Sequence, residues 1–347
     1  MSNAIRRLVL KNDDHGEAVV FLKDEAVLAK WAGADAAGTV VWSTAEVPAD
    51  NSDGDLDGHR RNVGVALHGG SVFRVTEFGP GYETPMHRTL STDYCFVLSG
   101  ELELVLDSGQ TALLREGDAV IQCGTRHAWR NPGVNRCKLA VYMIEALPVV
   151  IKGKRLGRTP LINMIIASLA LGLRRKRQVY PGARSMESAR DSQQVVRRVV
   201  TGHDGSARAI VMIDDTLATQ PTHACSVREI SMWRTSMVPP SNDPLHNEPT
   251  QQRDTDPASG SSFRVLTLEP GCSTAAANLR SIDYCMVLDG AVEIVRDRGK
   301  VISLHTGDSA VLRGVHHSWY NAKDSGVSRL LVVSIEGQVS TVLGQSA

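Results

Sequence analysis

The stretch from Phe73 to Asn131 returns without a gap from Phe263 to Asn321, 190 positions later, with roughly two-fifths of its positions identical. An internal repeat of this length points to two copies of one unit and must be recognised before any element is assigned. The echo extends upstream of the core: Arg6 and Arg7 return as Arg197 and Arg198, and WSTAEVPADN at 42–51 returns as WRTSMVPPSN at 233–242. A chain of 347 residues accommodates two units of about 150 residues. The expected division is 1–150, a linker at 151–195, and 196–347.

Within the repeat the pattern is β. Apolar and polar residues alternate through Val72–Phe78, Cys95–Leu106 and Ala119–Gln122, separated by the turn signals GPG, SGE, DSGQ and EGD. Short strands punctuated by glycine turns predict an all-β sandwich or barrel. Upstream, AVVFL at 18–22 and GTVVWSTAEVP at 38–48 are expected strands, and Lys23–Trp31 is expected as a short helix. The segment 49–62 reads as an acidic, solvated loop whose aspartates lack the spacing of an EF-hand.

Charge is balanced, with 38 basic and 38 acidic residues, so no basic field speaks for nucleic acid. Six cysteines are scattered without close metal-type pairs, and Cys95 and Cys285 fall at equivalent points inside apolar runs, as buried small hydrophobes of a reducing compartment. The first residues carry no sustained apolar core, so the expectation is a cytoplasmic protein. The linker contains LINMIIASLALGL at 161–173 between basic clusters, too short for a bilayer. With Thr159-Pro160 as a helix start, it is expected to be partly helical, packed on a barrel or resting on an anionic membrane surface.

Two motifs carry a resemblance. Gly81, His87, Thr89, Asp93 and Gly100 follow one spacing, and Gly117, Cys123, Gly124, His127 and Asn131 follow a second. Together they resemble the cupin superfamily, and their repetition implies a bicupin: two tandem jelly-roll barrels joined by the linker. Thr89 stands where the family usually has a second histidine, and Asp93 where it has glutamate.

In a strand, positions i, i+2 and i+6 share a face, which would put His87, Thr89 and Asp93 on one side with His127 arriving from a later strand. If that side is the barrel interior, two imidazoles and a carboxylate suit one divalent metal, iron, manganese or zinc. The same groups can instead move protons without metal, or satisfy one another structurally. In the second copy Ala277, Leu279, Asp283 and His317 occupy these positions, so no metal is expected there. His316 should point away from His317. Trp129 and Trp319 are expected as pocket wall or core. Arg74, repeated as Arg264, is expected as a substrate contact or structural ion pair, with Arg88 facing outward.

Cupins of this wording accompany polyketide and terpenoid pathways, so the resemblance implies lyase, dehydratase, isomerase or cyclase chemistry on a small molecule. His87, Asp93 and His127 would be catalytic, with Thr89, Trp129 and Arg74 at the substrate. A metal-dependent dioxygenase and a non-catalytic binding module stay open. A homodimer is a further expectation.

Overall fold

The computed structural model describes residues 4–159, 195–221, 227–243, 259–278 and 280–338, and within them it is all-β with two barrels. Alternation decides how each strand faces. In Glu101–Leu106 the leucines 102, 104 and 106 turn inward, while Glu101 and Glu103 face out to pair with Arg115 and Arg130. The turn before it needs glycine: Gly100 has φ 79°, and a Cβ there would meet the Arg136 carbonyl oxygen at 2.8 Å.

The central strand Ser91–Ser99 follows a different rule, because its first seven residues are all buried. Cys95 and Val97 enter the interior of the first barrel, and Tyr94 and Phe96 enter a second core shared with the other repeat. A strand buried on both faces reads as a continuous apolar run. Ile282–Asp289 does the same in the second repeat, with Cys285 and Val287 inward and Tyr284 and Met286 toward the shared core.

Each barrel borrows its outer strands from the other repeat. The eight-stranded sheet of the first barrel begins with Ala209–Ala218 and Val195–His203, and the latter runs parallel to Ala119–Cys123 with Val200 opposite Ile121. Reciprocally, Ala4–Asn12 runs parallel to Ser309–Arg313, with Leu10 opposite Leu312. The arms of the two units are thus exchanged. The repeated arginines tie each arm back to its own unit. Arg7 binds Asp24 and donates to the Val41 carbonyl at 2.9 Å, as Arg198 binds Asp215 and donates to the Met232 carbonyl at 3.0 Å. Further crossings repeat the pattern: Ala49 N–H donates to the Glu336 carbonyl, and Leu147 N–H to that of Pro240.

Several expectations change. Lys23–Trp31 is not helical: Ala18–Val27 is a strand paired antiparallel with Ala4–Asn12, followed by Ala29–Lys30. Pairing with the arm overrides local helix propensity there. The loop at 49–62 is less solvated than expected, since Asp55 is buried, accepts from Ala45 N–H and pairs with Arg61, while Asp53 holds Lys11. The expected linker helix, from Pro160 through the apolar 161–173, lies outside the described residues, as does most of the polar segment after Asn242. Among the described residues no helix is long and apolar enough to cross a membrane. Cys95, Cys123, Cys137, Cys272 and Cys285 are buried.

Candidate functional site

His87 and His127 face each other inside the first barrel. Their backbones exchange two hydrogen bonds of 2.8 Å, and their ring centroids lie 4.5 Å apart. His87 Nδ1 is 2.9 Å from the Pro85 carbonyl oxygen and His127 Nδ1 is 3.0 Å from that of Thr125. A carbonyl can only accept, so each Nδ1 carries the proton and each Nε2 the lone pair. Burial lowers the pKa of both rings, His127 to about 3, with the neighbouring His87 pushing in the same direction. Both imidazoles are therefore neutral near pH 7. Trp129, also buried, meets His127 edge-on with centroids 5.5 Å apart.

Asp93 does not join them. The chain bends at Leu90, so His87 sits in a single bridge opposite His127, whereas Asp93 belongs to the strand Ser91–Ser99 that starts after the bend. The expected continuous strand from 87 to 93 is broken. Asp93 Oδ1 instead accepts from Ser91 Oγ at 2.5 Å, and Ser91 Oγ also lies 2.9 Å from Thr89 Oγ1. Burial raises Asp93 to about 6 against these hydrogen bonds and the charge of Arg74. Arg74 is itself lowered to about 10 by burial, and it donates to the Gly64 carbonyl at 2.9 Å. Thr89 and Arg74 thus gather around Asp93, and Trp129 around the histidines. Among the described residues no group of three His, Cys, Asp or Glu side chains is placed to hold a metal ion. The donor set His87, Asp93 and His127 therefore does not fit a three-ligand metal centre.

In the second barrel Ala277 pairs with His317 in place of the histidine pair. His317 is buried with Nδ1 3.1 Å from the Val315 carbonyl oxygen, whereas His316 points outward to Asp297, as expected. Trp319 packs edge-on against His317 much as Trp129 does against His127, so the tryptophan accompanies the barrel whether or not the histidine pair is present.

A group that the motifs did not single out is linked to His127 through Thr125, whose carbonyl oxygen holds His127 Nδ1. Gln122 Oε1 accepts from Thr125 Oγ1 and, at 2.9 Å, from Thr201 Oγ1, a residue of the borrowed arm. Thr201 Oγ1 also accepts from Cys123 N–H at 3.3 Å. The corresponding residues of the other barrel are Leu312, Val315 and Leu10. That difference between copies is the signal that could have found these residues.

A sequence family described as "Cupin domain" matches residues 74–144. The chain is 48% identical over 95 residues, 27% of its length and 50% of the relative, to "Phomopsin biosynthesis cluster protein C'" of Diaporthe leptostromiformis. It is 36% identical over 117 residues, 32% of its length and 60% of the relative, to the cupin-domain-containing oxidoreductase virC of Hypocrea virens. To the cupin-domain-containing oxidoreductase srdB of Neurospora crassa it is 30% identical over 153 residues, 43% of its length and 78% of the relative. The chain spans about half the length of the first of these curated relatives. Among solved structures, salicylate 1,2-dioxygenase from Pseudaminobacter salicylatoxidans is similar with a TM-score of 0.44 and 16% identity, covering 76% of this chain and 71% of that one.

The chain belongs to the cupin superfamily, as a tandem of two barrels. The relatives it matches are biosynthesis-cluster proteins and cupin-domain oxidoreductases of fungi.

Proposed function

We propose that the first barrel is a small-molecule enzyme of secondary metabolism that moves protons within an organic substrate, by isomerisation or dehydration. One observation carries the reading: two neutral imidazoles lie in ring contact, each fixed by a backbone carbonyl so that Nε2 presents a lone pair. Such a pair can take a proton from carbon at one Nε2 and, because the other Nε2 carries only a lone pair, return that same proton to a second carbon of the substrate, or to the departing hydroxyl in a dehydration. The depressed pKa values keep the imidazolium short-lived, which favours passing the proton on. Asp93, Thr89 and Arg74 would hold a polar group of the substrate at the adjacent cluster, and Trp129 would wall its apolar part. The second barrel, with Ala277 in place of the histidine, would serve as scaffold.

The test uses β,γ-unsaturated and β-hydroxy ketones such as 3-cyclohexen-1-one, incubated with the protein in deuterated water. Wild type should convert each to the conjugated ketone, and His87→Ala or His127→Ala should lose about 100-fold or more in rate. Equal rates in wild type and variants would refute the proposal. Oxygen consumption without formation of the conjugated ketone would favour the second reading, an oxidoreductase, which the names of the relatives support.

A further inference from the structure

Gln122 is almost entirely buried, and its Nε2 has no hydrogen-bond partner although its Oε1 has two. A buried amide donor costs about 1–3 kcal/mol unless water or a bound molecule meets it. The side chain points into the first barrel. Gln122 lies directly opposite Asp93 in the antiparallel pair, and directly opposite residues share a face. Its neighbour Ile121 turns to the shared core, whereas Val120 and Cys95 mark the barrel interior.

The second barrel shows that the fold does not require this arrangement. There the same strand pairing is built with Leu10 opposite Leu312, and Val315 replaces Thr125. Three polar residues were exchanged for aliphatic ones in the copy that also has Ala277 where the first has His87. Polar character of this cluster thus accompanies the histidine pair.

We infer that Gln122 recognises an oxygen acceptor of the bound molecule, a carbonyl or carboxyl oxygen, through Nε2, and that Thr201, delivered by the arm of the second repeat, is its positioning residue. The two hydroxyls occupy Oε1 and fix the amide plane, leaving Nε2 as the donor end inside the barrel. Thr125 links the parts, because its hydroxyl holds Gln122 while its carbonyl holds the His127 ring. The second repeat thereby enters the site of the first. This inference deepens the proton-transfer reading by naming a carbonyl-bearing substrate class.

The test is binding, kept apart from turnover. 2-Cyclohexen-1-one and cyclohexene, which share a ring and differ in the carbonyl, are titrated against the full chain by saturation-transfer NMR. Wild type should prefer the ketone roughly five- to tenfold, the range expected for one hydrogen bond. Gln122→Leu, which copies Leu312, should abolish the preference while leaving cyclohexene binding in place. Thr201→Val should reduce it, and an unchanged thermal melt shows that each variant is folded. Absence of a preference in wild type, or its survival in Gln122→Leu, overturns the inference. A preference without any isomerisation of 3-cyclohexen-1-one leaves the inference standing and sinks the proton-transfer reading, and turnover without a preference does the reverse.

Discussion

Tyr94 Oη and Ser261 Oγ, one from each repeat, lie 2.8 Å apart in the core between the barrels, and Tyr284 meets Ser71 at the same 2.8 Å in mirror fashion. The rings around them form two stacks, Tyr94 on Phe263 and Phe73 on Tyr142 on Tyr284, joined by a tilted contact between Tyr142 and Phe263. The Asp-Tyr pair that both copies keep is thereby divided. Its tyrosine belongs to the junction of the repeats and its aspartate to the barrel interior.

Tyr94→Phe should lower stability by about 1 kcal/mol, measured by urea denaturation. The ring keeps its stacking, and Ser261 Oγ retains Thr235 Oγ1 at 2.8 Å, so no orphan is created. Because the arms are exchanged, the loss should appear as one shifted transition, with amide protection falling together in Ser91–Ser99 and Ile282–Asp289. Two separate transitions would contradict a shared core.

The β pattern, the duplication and the buried cysteines were legible in the sequence because they depend on local alternation and on residue identity. The arm exchange was not, since an arm paired with its own barrel and one paired with its neighbour bury the same alternating face. The histidine pair was legible, and the position of Asp93 was not. Spacing alone assumes one unbroken strand, whereas the chain bends at Leu90 and the Ser91 hydroxyl bonds Asp93. The arginine echo was visible, but its role at the arm depended on carbonyls more than thirty residues away.

The depressed histidines give an acid-sensitive fold. His127 falls to about 3 in the folded chain against about 6.5 when unfolded, so the unfolded state takes up the proton first. Stability is fully present above pH 6.5 and is lost as pH falls toward 3. In His127→Gln the dependence of unfolding free energy on pH between 6.5 and 4.5 should be shallower by up to one proton, about 1.4 kcal/mol per pH unit. Parallel curves for wild type and variant would show that the ring is not buried as a neutral base.

Asp93 works in the opposite direction. Its pKa rises to about 6 in the folded chain from 3.8, so the folded state holds the proton more tightly, and this contribution is full below 3.8 and lost as pH rises through 6. Asp93→Asn keeps an acceptor for Ser91 and removes the buried charge. It should be more stable than wild type at pH 8 by about 1–2 kcal/mol, the gain being limited by the lost attraction to Arg74, and the difference should vanish near pH 4. A loss of stability at pH 8 would mean that the Arg74 pairing outweighs burial.

Arg198 and Arg7 offer matched tests of the arms. Each is a buried guanidinium, 4% and 6% exposed, that satisfies a buried carbonyl and a carboxylate two-fifths exposed. Arg198→Met leaves Asp215 hydrated, so the cost is set by the Met232 carbonyl, whose side-chain donor is lost, and by the charge-assisted bonds, about 2 kcal/mol in all. Arg198→Lys keeps the charge without the planar fork and should recover less than half of the loss. Arg7→Met should match Arg198→Met within about 0.5 kcal/mol, because the main contacts match and Arg7 adds only a long 3.4 Å bond to the Val40 carbonyl. A large inequality between the two would show that one arm bears more of the junction than its repeat does.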